Sequence, residues 1–440
     1  MESRRPVSGG SEGRSGRPTV SRVLRDGSLV ELVHDPAVRR TALVHGGSAG
    51  WTVVPSIDAG TLGRLVPYSP TNNLIASGAV LLPAKPEPFG TPAELVLNIA
   101  TFLHRYVDLR PAFERIAAHY ALLSWVYDAF NEVPYLRLRG DFGTGKTRAL
   151  LAIGSVCYKP FFASGASTVS PIFHTLDTFS GTLVLDEGDF RMSDEKAEVV
   201  KILNNGNMRG MPVLRTMQDR QKEFNPRAFN VFGPKIVATR GLYEDRALES
   251  RFISEAMGGR PLRDDVPLNL PDTFFEEARA LRNQLLAYRL EYRFRVGIDP
   301  SVEDRALEAR TNQVLVPLLS IVEDAELRDE LRRAAATAEA DRLAERSSTP
   351  EAHLLSVLRD MLAEPERSVL PIREIVPRFI AEWGAEYRRP ITHRWIGTLL
   401  RRLTLAPFKS HGNYVLSVIE GERILHLCQR YGLADTDKAA

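Results

Sequence analysis

Gly140-Asp141-Phe142-Gly143-Thr144-Gly145-Lys146-Thr147 is the stretch on which the reading of this chain turns. Its spacing is G-x-x-x-x-G-K-[ST]. An apolar run, Tyr135–Arg139, precedes it, and a helical pattern over residues 148–153 follows it, which is the strand-to-helix context this motif needs. Gly140, Gly143 and Gly145 let backbone N–H groups turn inward around phosphate oxygens, with Thr144 between them. The N-terminus of the following helix adds partial positive charge at the same point. Lys146 is placed to reach the outer phosphates of a nucleotide, and Thr147 to offer a hydroxyl to Mg²⁺.

Outward from that loop, Leu183-Val184-Leu185-Asp186-Glu187 reads as an apolar strand ending in two carboxylates. Charges at the C-terminal tip of a buried strand lie where ligands bind in open α/β sheets. Asp186 is the candidate metal ligand, directly or through water. Glu187 is the candidate base for an attacking water. Further strands are expected at residues 160–163, 182–186, 235–239 and 252–256, alternating with helices, which predicts a parallel sheet with helices on both faces.

One expected strand between the two motif strands, with Glu directly after Asp, resembles the AAA+ branch of P-loop ATPases. That resemblance implies ATP and Mg²⁺ as cofactors, ATP hydrolysis, and a homo-oligomeric ring, a hexamer in form. Lys235-Ile236-Val237-Ala238-Thr239-Arg240 resembles the strand carrying a γ-phosphate sensor at its tip; Thr239 holds that place and Arg240 competes for it. Asp245-Arg246-Ala247-Leu248-Glu249-Ser250-Arg251-Phe252 resembles the element that presents an arginine finger to a neighbouring subunit. Arg251 is the first choice and Arg246 the second, with a surface ion pair to Glu244, Asp245 or Glu249 as the alternative for either. Ala309-Arg310-Thr311-Asn312-Gln313 resembles the start of the lid helix in MCM-like members, which implies that Arg310 reaches the nucleotide of its own subunit; a solvated helix-start charge is the alternative.

About 48 residues separate the Asp186 strand from the sensor strand, more than one crossover helix needs. Residues 211–216 and 228–232 read as a β-hairpin, and the segment between them holds Arg220, Lys222 and Arg227 beside Asp219 and Glu223. MCM-like and superfamily III-like helicases insert a DNA-facing hairpin here, which implies single-stranded DNA in a ring channel. A solvated loop or a subunit contact is the alternative. After a polar break at residues 347–350, helices are followed by a short β pair, the pattern of a winged helix. Residues 387–411 hold five Arg, one Lys and no acidic residue. Ile396, Leu399, Leu400 and Leu403 share one helix face with Trp395. His393, Arg394, Thr398, Arg401 and Arg402 are left for the outer face, joined by Lys409, a set suited to phosphates and base edges of duplex DNA. A protein-interaction module is the alternative.

Composition bounds the rest. The chain has 440 residues, 44% apolar and 25% charged, which excludes a mostly disordered, collagen-like or rod-like chain. No apolar run approaches the roughly 18 residues of a spanning helix, so no membrane is expected. The N-terminus lacks an apolar secretory core. Two distant cysteines, Cys157 and Cys428, give neither a disulfide framework nor a zinc site, and a cytoplasmic setting is expected. Only nine of 57 basic residues are Lys; a GC-rich genome explains this as well as phosphate recognition does, so Arg carries weight only where it clusters.

The expected fold is α/β: a P-loop AAA+ parallel sheet with a helical lid, a C-terminal winged-helix domain and a small β-rich N-terminal region. The expected boundaries are a disordered tail at 1–18, the β-rich region at 19–90, a helical segment packing on the ATPase at 91–132, the ATPase core at 133–260, the lid at 261–346 and the winged helix at 347–440. The AAA+ resemblance covers residues 95–433, with helicases of the MCM-like and superfamily III-like kind found in mobile elements as its nearest branch. It implies a DNA motor or replication initiator. An ATPase switch regulating transcription or defence, or a protein-remodelling ATPase, are the alternatives.

Overall fold

The structure is a computed structural model and describes residues 16–186, 194–218, 224–243, 245–365, 368–410 and 412–433. The chain divides into two compact units at Arg332/Arg333.

The first unit begins with seven short strands: β1 Arg17–Thr19, β2 Ser21–Val23, β3 Leu29–Asp35, β4 Arg40–Gly47, β5 Gly50–Val54, β6 Ile57–Asp58 and β7 Arg64–Pro67. They form a four-stranded antiparallel sheet, β2-β3-β4-β5, and a three-stranded one, β1-β7-β6. Arg17 and Pro18, which were expected in the tail, pair with Thr19 in parallel with Leu65, Val66 and Pro67; residues 1–15 lie outside the described residues. Helices α1 Asn73–Ala76, α2 Pro92–Tyr106 and α3 Pro111–Val126 follow. The capping box at α2 is formed: Glu94 N–H donates to Thr91 Oγ1 at 3.2 Å, and Thr91 N–H to the Glu94 carboxylate at 2.8 Å.

Next come β8 Tyr135–Arg139, α4 Lys146–Val156, β9 Phe161–Ala163, α5 Val169–Phe179, β10 Leu183–Leu185 and α6 Asp194–Asn205. The hairpin β11 Val213–Gln218 and β12 Phe224–Phe229 leads to β13 Lys235–Thr239, α7 Arg246–Glu249 and β14 Phe252–Ala256. Five of these strands form one sheet in the order β14-β8-β13-β10-β9, with every pairing parallel. Strands β8, β13 and β10 are almost wholly buried, as near-continuous apolar runs in a two-sided sheet should be. The expected strands thus fall within a residue or two of the observed ones. The hairpin is also present, but its second strand starts earlier than expected, so Arg227 lies within β12 opposite Arg215 and Val213 lies opposite Phe229. Helices α8 Thr273–Tyr292, α9 Ala309–Leu319 and α10 Ala325–Ser347 come next. The boundary between the units falls inside α10, not at the polar break after it.

The β-rich region is not a separate body. Val30, Leu32 and Leu43 share one apolar core with Tyr135, Phe161, Leu183 and Val237. A buried ion network ties it further. The Glu31 carboxylate on β3 lies 2.7 Å from Lys159 Nζ and 2.7 Å from Arg289 Nε on α8, and accepts from the Tyr158 hydroxyl at 2.9 Å. Arg289 also reaches Asp128 at 2.8 Å. Glu31, Lys159 and Arg289 are each at most 2% exposed. Desolvation opposes the charge on Glu31, but the two cations overcome it and hold the carboxyl below its ordinary value. Asp128 is held well below its own by Arg289 and Arg293.

The second unit holds α11 Pro350–Leu362, β15 Val369–Pro371, α12 Ile372–Trp383, α13 His393–Arg402, β16 Phe408–Ser410, β17 Asn413–Ser417 and α14 Gly421–Arg430. Its three strands pair antiparallel in the order β15-β17-β16. Leu354, Leu358, Ile375, Phe379, Ile396, Leu399, Leu400 and Leu416 build its core. Among the described residues no helix is long and apolar enough to cross a membrane.

Candidate nucleotide site and nucleic-acid surfaces

The C-terminal ends of β8, β13 and β10 lie side by side, so the glycine-rich loop, Thr239 and Asp186 meet at one sheet edge. Gly143 and Gly145 adopt φ of +73° and +85°, a region that costs other L-residues energy and glycine little. A Cβ on Gly140 would sit 2.7 Å from Thr144 Oγ1 and 2.8 Å from the Met257 carbonyl oxygen, so the close turn requires glycine there too. Thr144 Oγ1 donates to the Asp141 carbonyl at 2.8 Å and fixes the loop from within. Lys146 Nζ donates to the Gly140 and Asp141 carbonyls, each at 2.7 Å, and so lies folded over the loop.

Thr147 Oγ1 donates to Asp186 Oδ2 at 2.7 Å. A hydroxyl and a carboxylate from residues 39 apart thus converge at the head of α4. Gly145 provides no side-chain cap, and no acidic residue stands in the first turn of α4, so the helix start keeps its partial positive charge for an anion. A phosphate fits this cradle by its shape and sign, and a hard divalent cation fits the Thr147–Asp186 oxygen pair. Glu187 lies outside the described residues.

Thr239 is buried, and its hydroxyl donates to the Gly241 carbonyl at 2.9 Å. Arg240, exposed, places its guanidinium 3.5 Å from the ring centroid of Phe142. Both candidates touch the loop: the Thr239 carbonyl accepts from Gly140 N–H at 3.1 Å, and the Arg240 guanidinium lies over the Phe142 ring. A contact that motif matching missed is Arg148, whose guanidinium donates to the Pro267 carbonyl at 3.0 Å and to the Leu268 carbonyl. No spacing rule marks it, because its partners are backbone atoms 119 and 120 residues away.

The other expected arginines lie at the opposite edge of the sheet. Arg251 precedes β14, and the five residues of that strand separate it from the loop by about 15 Å. Its guanidinium is turned inward, onto Asn207 Oδ1 at 2.8 Å, Asn204 Oδ1 at 2.7 Å and the Asn204 carbonyl at 3.0 Å. It is only 8% exposed. A guanidinium already satisfied by its own chain has little left for a neighbour, so the first choice of finger does not match its surroundings. Arg246 is exposed and makes no ion pair among the described residues. Of the acids named for it, Glu249 is engaged with Arg137, and Asp245 with the α7 N–H groups and Asn204; Glu244 lies outside the described residues.

Arg310 corrects the sequence reading. Its Nε donates to Ser250 Oγ at 2.7 Å, with a longer contact to the Ala247 carbonyl. It therefore stands beside α7 at the edge away from its own phosphate loop and not over its own nucleotide site. The physical reason is that α9 packs on α3 and delivers its first turn to that end of the sheet.

In the second unit, Ile396, Leu399 and Leu400 are buried, and His393, Arg394, Arg401 and Arg402 are exposed. Thr392 Oγ1 caps α13 by accepting from Trp395 N–H at 3.2 Å. Arg402 is drawn to Glu351 at 3.2 Å, Arg401 Nε donates to the Gly397 carbonyl at 3.0 Å, and half-buried Thr398 turns its hydroxyl to the Arg394 carbonyl. Lys409 is exposed on β16, opposite Tyr414 on β17. Arg220 and Lys222, the expected hairpin contacts, lie outside the described residues. Cys157 and Cys428 are buried, their thiols donating to the Ile153 and Leu355 carbonyls.

Among solved structures, the chain is similar to the C-terminal region of NrS-1, at 12% identity over 88% of this chain and 96% of that one, with a TM-score of 0.35. It is also similar to the SCCmec type IV Cch active helicase, at 12% identity over 92% and 80% of the two chains, with a TM-score of 0.41. JCV helicase aligns over 57% of this chain and 61% of its own, at 14% identity and a TM-score of 0.24. No family model and no curated protein matches the sequence.

Proposed function

We propose that this protein is an ATP-hydrolysing motor or replication initiator that acts on DNA as a homo-oligomeric ring, hexameric in the form its AAA+ resemblance implies. The observation that carries the nucleotide site is the Thr147–Asp186 hydrogen bond at the head of α4, under a loop held open by left-handed glycines. The strand order β14-β8-β13-β10-β9 supports the AAA+ assignment, because it sets the sensor strand between the two motif strands. In this reading the loop N–H groups and Lys146 bind the phosphates, while Thr147 and Asp186 hold Mg²⁺, which neutralises phosphate charge. Glu187 orients and deprotonates the attacking water. Arg240 reads the outer phosphate, with Thr239 supporting its strand tip.

The arginine edge supports a role between subunits. Arg246 at the start of α7, and Arg310 beside that helix, are exposed at the end of the sheet away from the loop, which suits contact with another subunit. An arginine finger acts by stabilising charge on the transferring phosphoryl group. For the second unit, the order helix, strand, helix, helix, strand, strand supports a winged helix with α13 as its recognition helix. His393, Arg394 and Arg401 would meet duplex DNA, and Lys409 would reach its backbone from the β16–β17 pair. That exposed basic helix also favours the second reading, a switch that binds duplex without translocating.

The test is steady-state ATP turnover, alone and with single-stranded or duplex DNA, with Lys146→Ala as the blank. Stimulation by single strands supports the motor. Stimulation by duplex alone supports the initiator or the switch. Turnover insensitive to any DNA overturns both in favour of a protein-remodelling ATPase.

A further inference from the structure

A cleft of about 500 Å³ opens where β1 and β2 meet the end of α5 and the root of the hairpin. It lies at the start of β10, at the end of that strand away from the phosphate loop, and the nucleotide chemistry does not use it. Arg17, Arg22 and Arg227 line it, together with Tyr68, Asp177 and Asn230. Asp177 is the one acidic residue among the lining residues, and it is already engaged: Oδ2 lies 3.1 Å from Arg227, and Oδ1 accepts from Asn230 N–H at 3.0 Å. The guanidiniums of Arg17 and Arg22 are exposed and have no hydrogen-bond or ion-pair partner among the described residues. Three guanidiniums against one engaged carboxylate leave a net positive cleft.

The geometry points to a binding site for single-stranded nucleic acid in this cleft, with Arg17, Arg22 and Arg227 on consecutive phosphates and Tyr68 as a base platform. This inference rests on the proposal that the chain acts on DNA, and it adds a contact surface outside both the hairpin tip and α13. Three features select a single strand. The cleft is too small for duplex DNA, whose major groove alone is about 12 Å wide. Guanidinium forks match phosphate oxygens. An aromatic face beside a basic groove is the combination that holds bases without regard to sequence. Tyr68 is half-buried and braced by Phe179, whose ring centroid lies 6.0 Å away, so its ring is held in place before any base arrives. Arg227 is braced too, over the Phe229 ring at 4.8 Å.

The experiment is fluorescence anisotropy with the full chain, no nucleotide, and a labelled oligothymidylate, repeated over a range of salt. A duplex probe and a polyglutamate competitor run alongside. Arg17→Ala/Arg22→Ala should weaken single-strand binding roughly tenfold and make the log–log salt slope shallower by about 1.4, for two lost phosphate contacts. The duplex affinity should stay where it was. Arg17→Lys/Arg22→Lys should restore the slope. Tyr68→Leu should weaken single-strand binding roughly tenfold with the slope unchanged, because stacking releases no counterions. An unchanged single-strand affinity in the double variant overturns the site. So does an equal loss for duplex, or competition by polyglutamate as effective as by unlabelled oligothymidylate. Because no nucleotide is present, the outcome is read independently of the Lys146-dependent turnover that tests the motor itself.

Discussion

The two ends of the parallel sheet are built from the same five strands and do different work. At the C-terminal end, loop, helix start and carboxylate close on one another within a single chain, with Thr147 and Asp186 in direct contact. At the N-terminal end, Arg246 is exposed without an ion-pair partner among the described residues, Arg310 is exposed beside it, and Arg251 is folded inward. The first end brings together the groups that the proposed phosphate site needs, Glu187 lying outside the described residues. The second presents exposed guanidiniums, which the proposed function assigns to a neighbouring copy. In the proposed ring, the loop end of one copy would face the arginine end of the next, the two ends of one sheet being about 15 Å apart.

The sharpest way to break that comparison is to disable each end in turn. Lys146→Ala should reduce ATP turnover to the level of the buffer blank and abolish nucleotide binding. Arg246→Ala should lower turnover by about a thousandfold and leave ATP affinity nearly unchanged, as equilibrium binding of a fluorescent ATP analogue will show. Mixing the two inactive variants should restore part of the activity, since intact phosphate sites then face intact arginines. No recovery on mixing, in complexes shown by crosslinking to contain both variants, would place Arg246 outside the reaction.

A smaller effect concerns what holds both ends in place. Glu31→Ala leaves Lys159 and Arg289 buried without their shared anion and should cost about 3–5 kcal/mol of folding stability, measured by urea unfolding. The acid limb sharpens this. Glu31 and Asp128 are both held below their ordinary values of 4.5 and 3.8. As pH falls below about 4.5 the unfolded chain therefore takes up protons first, and the stabilisation from these carboxylates, full above that pH, drains away. Unfolding midpoints recorded from pH 6 to pH 3 should fall more steeply for the native chain than for Glu31→Gln. Parallel slopes would show that the Glu31 carboxyl is not depressed. The smallest effect is expected in the second unit, where Arg394→Ala should weaken duplex binding by about 1 kcal/mol and lower the salt slope by about 0.9. An unchanged slope would point α13 toward a protein partner.

The elements that were legible in the sequence share a cause. Glycines at fixed spacing, a Lys-Thr pair and a carboxylate at the end of an apolar strand are constrained by local backbone geometry, and their spacing survives in the linear order. The strands of the sheet, the capping box at Thr91 and the buried face of α13 were readable for the same reason. The arginines were not. Arg246, Arg251 and Arg310 look alike in sequence, and which of them turns inward depends on Asn204 and Asn207, more than forty residues from Arg251. The position of Arg310 depends on how α9 packs. Thr239 was placed ahead of Arg240 by its position alone, and a strand's tip does not say which of its last side chains faces the neighbouring loop.

What the amino-acid order determined by itself is the phosphate loop, the carboxylate strand and the helix pattern of the second unit, each set by short-range geometry and periodicity. Only the tertiary structure decided that residues 19–90 share one apolar core with the sheet, tied further by the buried charges of Glu31, Lys159 and Arg289 and the half-buried Asp128. It alone placed Arg310 at the far end from its own loop and Arg17 beside Arg227. Contacts between residues more than a hundred positions apart leave no period or spacing to read, because they arise from packing in three dimensions.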